Sequence, residues 1–150
     1  MHSEAPAPLY HERHDELAAL ARWLRDGRAQ SDPGHVAKGK MTQEDAARRL
    51  RVLNAICALW DAKCARAPIP ALDASYTEMH DELAAIAAVA AESKGQSGPY
   101  EAAADLPAAL KALVWQHSSP PGFTSPRIVL LHDLNLDLSE RARQHFGRAA

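Results

Sequence analysis

A chain of 150 residues with a formal net charge of −2 and 47% hydrophobic residues has enough material for one domain with its own core. The near-balanced charge gives no general attraction to polyanions, and the longest apolar stretch, the nine residues Leu83 to Ala91, falls far short of the roughly 20 that span a bilayer. The opening Met1-His2-Ser3-Glu4 lacks the basic and apolar regions of a signal peptide. The two cysteines, Cys57 and Cys64, read as small buried hydrophobes of a reduced, cytoplasmic protein.

Alanine is abundant and β-branched runs are scarce, which favours helix over sheet. The first predicted helix runs from Leu9 to Asp26 and stops at Gly27, and Arg28 to Ala37 reads as a surface loop. Thr42, with Asp45 three residues on, caps a second helix that stops before Pro68. Its Ala46, Leu50, Leu53, Cys57, Trp60 and Cys64 follow one another at steps of four and three, a stripe that requires a partner helix. Ser75 and Glu78 have the spacing of a capping box for a third helix ending at Gly95. Pro99 opens a fourth, in which Pro107 marks a bend and Leu106, Leu110, Leu113 and Val114 face inward. Residues 117–126 read as a linker and Ser125-Pro126 as the start of a short helix to Leu134. Asp137-Leu138-Ser139-Glu140 reads as the capping box of a last helix ending at Gly147. The alternation of Leu134, Leu136 and Leu138 leaves an extended conformation open for residues 128–138.

The segment Tyr10-His11-Glu12-Arg13-His14-Asp15-Glu16-Leu17-Ala18-Ala19-Leu20-Ala21 recurs 66 positions later, with nine of twelve residues identical. The match continues at an offset of 56, where Lys38-Gly39 lies against Lys94-Gly95 and Asp45-Ala46-Ala47 against Glu101-Ala102-Ala103. A repeat at helical spacing predicts one helix-loop-helix unit made twice, about residues 9–64 and 76–116. The expected fold is an all-α, pseudo-twofold four-helix bundle in a single domain, with a short C-terminal appendage over residues 127–150.

Charge is unevenly placed. Residues 38–66 carry seven basic and three acidic side chains, and residues 67–110 one basic and seven acidic, which gives +4 against −6. Attraction between the two hairpins explains this better than a nucleic-acid patch at Arg48, Arg49 and Arg51, which have no aromatics among them. The duplicated Glu-x-His-Asp-Glu is the one constellation that suggests chemistry. Its carboxylates, Glu12, Asp15, Glu16, Glu78, Asp81 and Glu82, are similar to the paired acidic motifs with which all-α nucleotide pyrophosphohydrolases hold magnesium against a triphosphate. At about 100° per residue, however, Glu12 and Glu16 lie roughly 100 to 135° from the apolar centre of the first helix and Asp15 almost opposite it, so solvated carboxylates are expected. His14 and His80 sit on the apolar seam as core-edge histidines. Leu130-Leu131-His132-Asp133-Leu134 resembles the core of metal-dependent HD phosphohydrolases but lacks the Gly-Lys that follows there. No cofactor is therefore expected, with magnesium as the alternative.

Arg22-Trp23-Leu24-Arg25-Asp26-Gly27-Arg28, then Gly39-Lys40-Met41-Thr42-Gln43-Glu44-Asp45-Ala46, then Leu50, Leu53, Ala55 and Ile56 together resemble small prophage-encoded helical-hairpin proteins of proteobacteria, over roughly residues 17–60. The resemblance implies a mobile-element origin and no catalytic residue. It fits a non-enzymatic module that binds a protein, such as an accessory protein or inhibitor aimed at a bacterial host factor, and neither a membrane nor nucleic acid. The expected contact surface is Trp23, about 100 to 120° from the apolar centre, with Arg25, Arg28, His35, Lys38 and Lys40 on and beside the predicted loop.

Overall fold

A computed structural model describes residues 6–92 and 106–147. Five helices follow in order: α1 His14–Ala37, α2 Gln43–Ala65, α3 Tyr76–Glu92, α4 Leu106–Gln116 and α5 Arg127–Gly147, with no strand among the described residues. The class is all-α. The expected end of the third helix at Gly95 and start of the fourth at Pro99 lie outside the described residues.

The start of α1 departs from that of its sequence counterpart. Ser75 Oγ accepts from the backbone N–H of Glu78, and the Glu78 carboxylate accepts from the N–H of Ser75, each at 3.0 Å. That capping box lets α3 begin at Tyr76. The residue corresponding to Ser75 is Leu9, which has no side-chain acceptor. The chain there turns through Tyr10 at φ 72 and enters α1 only at His14, with no side-chain cap.

The end of α1 is also a correction: residues 28–37 are not a loop but the last turns of the helix, which passes through Gly27 and contains Pro33. Each of these residues weakens a helix interior, yet neither overrides packing that continues in steps of four from Leu24 through Arg28 to the buried Asp32 against α2. The chain turns at Gly39, φ 72, a conformation open to glycine without steric cost.

Thr42 Oγ1 accepts from Asp45 N–H and caps α2 as its sequence indicates. At the other end Arg66 takes the left-handed conformation at φ 54, while Ala67 N–H reaches Ala62 C=O and Arg66 N–H reaches Lys63 C=O. This is the Schellman arrangement with arginine where glycine is usual. Cys57 is buried, as expected. Cys64, in the last turn of α2, is exposed, on a groove it shares with Lys63, Arg66 and the start of α1. The strap 66–75 returns along α2, anchored by Ile69 and Leu72, and places Asp73 beside Arg51.

α1 packs along α2 and α3 along α4; α2 also meets α3, and α1 meets α4, so the four enclose one core. Its largest fully buried members include Trp60, Leu17, Leu20, Leu53, Ile56, Leu59, Leu83 and Leu110. Repeat-related positions share burial at Leu17 and Leu83, Leu20 and Ile86, and Leu24 and Ala90. The tail corrects the two-helix expectation: α5 is continuous, and Asp137 and Glu140 lie inside it, paired with Arg141 and Arg143. Residues 128–138 are helical, not extended. Ile128, Val129 and His132 fasten the first turns of α5 to the core, and residues 137–145 are exposed.

Candidate functional site

The six residues expected at the contact surface do not form one patch. Trp23 is 38% exposed on α1, and Phe123 is exposed as well. His35, Lys38 and Lys40 are exposed near the far end of α1, and Lys38 stands 15 residues beyond Trp23, about 22 Å along the axis. Arg25 is bound to the neighbouring Asp26 at 3.0 Å. Arg28 is half-buried and faces Arg49, Asp32 and Glu82; burial, then the nearby Arg49, pulls its pKa down.

The acidic turns go to different places. Glu12, Asp15 and Glu16 border a groove shared with Lys63, Cys64 and Arg66 at the end of α2. Glu78 pairs with Arg51 at 2.6 Å, and Glu82 with Arg49 at 3.2 Å. Arg51 lies 12 residues, about 18 Å, up α2 from Lys63, so the two turns share no cleft. The Arg51 guanidinium, helped by the Ser75 N–H, holds the Glu78 carboxyl down at about 2. Asp81 is exposed beside His80. No group of three or more His, Cys, Asp or Glu with metal-holding geometry occurs among the described residues.

His14 is half-buried with its ring 6.0 Å from that of Trp60, and burial, then Lys63, lowers its pKa. The Trp60 indole N–H donates to His117 Nε2 at 2.9 Å in the interior. His132 is buried as well, its Nε2 2.6 Å from the carbonyl of Ala67, while Asp133 is exposed. Arg127 stacks over Trp115, 4.6 Å from the ring centre, and donates to Ser118 Oγ, which pins the start of α5 to the end of α4.

The surface that sequence reading missed is on α5. Leu134 and Leu138 are 54% and 52% exposed, one turn apart on one face of a helix that otherwise carries Asp133, Asp137, Glu140, Arg141 and Arg143 outward. Their i, i+4 spacing was the available signal. It was hidden by the apparent capping box at Asp137, which divided the helix between them. No helix among the described residues is long and apolar enough to cross a membrane. Comparison with protein-family models, curated proteins and solved structures finds no match.

Proposed function

We propose that the chain is a non-enzymatic protein-binding module and that α5 from Leu134 onward is its contact element. The observation that supports this most is the pair of half-exposed leucines on a helix anchored to the core only through its first turns. An i, i+4 leucine pair on a charged helix suits the apolar groove of another protein. Self-association fits less well. Two half-exposed leucines per chain fall far below the roughly 1,200 Å² of a stable interface, so the partner must wrap the helix rather than mirror it. The α1 face at Trp23 is second in rank because its basic companions are dispersed or already paired. A role toward a bacterial host factor rests on the sequence resemblance alone.

The test is site-specific photocrosslinking at positions 134, 138 and 23 in bacterial lysate, followed by affinity measurement with the purified partner. Crosslinks are expected at 134 and 138, and Leu138→Glu should weaken affinity by at least about tenfold, or 1.4 kcal/mol, without changing Tm. Unchanged affinity for a folded Leu138→Glu, together with loss in Trp23→Ala, would move the contact to α1. Magnesium-dependent hydrolysis of nucleoside triphosphates that disappears in Glu12→Gln would overturn the non-enzymatic reading.

A further inference from the structure

Between the end of α2 and α5, beside the turn where His132 is buried, lies a pocket of about 230 Å³ lined by Lys63, Arg66, His132, Asn135 and Ser139, with two leucines of α5. Its polar side chains are two cations, Lys63 and Arg66, with His132, Asn135 and Ser139 able to hydrogen-bond, and no carboxylate. Neither cation has an ion-pair partner among the described residues. At the end of α2, Ala62 C=O and Lys63 C=O accept from the Schellman N–H groups, and just past it Ala67 C=O is engaged by His132 Nε2, so the two cations offset what remains of the negative helix end.

A second observation singles out Arg66. It sits at φ 54, where an L side chain is strained and glycine is not, yet the chain places a guanidinium there, at the rim of this pocket. Strain of this kind tends to gather where a side chain has to be presented. We infer that Lys63 and Arg66, with Asn135 and Ser139, form a binding site for a phosphate monoester. Two positive charges match the dianion better than a carboxylate, a guanidinium suits phosphate oxygens in a two-pronged contact, and the amide and hydroxyl provide neutral donors. The room beyond one phosphate is partly apolar, from Leu136 and Leu138, which suits a small organic group on the ester. The competing use of the cations is a pairing with Glu12, Asp15 or Glu16 across the neighbouring groove. The inference shares only Leu138 with the protein-binding reading, and its own test substitutes Arg66 and Ser139, so the two readings fail separately.

The experiment compares the thermal midpoint in about 10 mM inorganic phosphate, about 10 mM glycerol 3-phosphate and chloride of equal ionic strength; wild type should gain about 3 °C with at least one phosphate. A larger gain with the ester assigns the site to phosphorylated small molecules, and an equal gain to the free ion. Arg66→Gly removes the guanidinium and relieves the backbone, so it should fold with an unchanged or higher midpoint and lose the phosphate effect. Ser139→Ala should reduce it. No gain in wild type, or the same gain in Arg66→Gly, overturns the site.

Discussion

The Trp60 indole N–H donates to Nε2 of His117, and both side chains are buried, so the imidazole is the neutral tautomer with its proton on Nδ1. That second nitrogen is buried without a partner. Burial, with His80 nearby, holds the His117 pKa down at about 3 against an ordinary 6.5. A histidine depressed on folding contributes fully above its unfolded pKa, because both states are then neutral. The contribution is lost as pH falls from 6.5 toward 3, because the unfolded chain takes up the proton first. His14 acts with the same sign, whereas Glu78 enters only below its ordinary 4.5. Urea unfolding should therefore show stability declining between about pH 6.5 and 5, with a flatter profile in His117→Gln, which keeps an acceptor but does not titrate. Equal slopes in the two proteins would remove His117 from this role. The sequence contained a sign of this residue: His117 continues the stripe of Leu106, Leu110 and Leu113. Its polarity and the Ser-Pro run behind it made it read as linker, since hydrophobic periodicity does not register a buried histidine whose partner is 57 residues away.

Side-chain capping signals marked the starts of α2 and α3 but misled at Asp137–Glu140, inside α5, and breaker residues misled where packing decides. Thr42 and the Ser75–Glu78 box mark their helices correctly because a cap is a local hydrogen bond between residues three apart. Gly27 and Pro33 misled for the complementary reason. Their preferences are weak beside the contacts α1 makes with α2 on both sides of them. This gives a paired prediction. A Cβ added at Gly27 meets nothing within 4 Å and the backbone there is helical, so Gly27→Ala should stabilise by about 1 kcal/mol, raising Tm by about 2 to 4 °C. Gly39 has the same free space but φ +72, so Gly39→Ala should destabilise by about 1 kcal/mol. Calorimetry distinguishes the two signs. Stabilisation at both positions would mean that the chain turns differently at the end of α1.

Across the whole molecule, the uneven charge of the sequence becomes contact between α2 and α3, where Arg51 meets Glu78 and Arg49 meets Glu82. We propose that the two hairpins are copies of one unit that diverged in their caps. Nine of twelve shared residues and matched burial at Leu17 and Leu83 support this, and the later start of α1 accompanies Leu9 in the place of the capping Ser75. What the repeat did not reveal is the junction built around Asp32, a residue expected in a loop and found 4% exposed. Arg49 reaches Asp32 at 3.9 Å and Glu82 at 3.2 Å, with Arg28 alongside. The Arg51–Glu78 pair, open to water that screens it, should show only weak coupling in a double-mutant cycle. Arg49 differs, since its removal leaves two enclosed carboxylates with only Arg28 to offset them. Arg49→Ala should therefore cost about 3 kcal/mol in urea unfolding. Asp32→Asn in that background should recover part of the loss, because it removes the buried charge and keeps the volume. If Arg49→Ala costs no more than an exposed pair, or Asp32→Asn recovers nothing, water reaches the junction, and it does not bind α1, α2 and α3 into one unit.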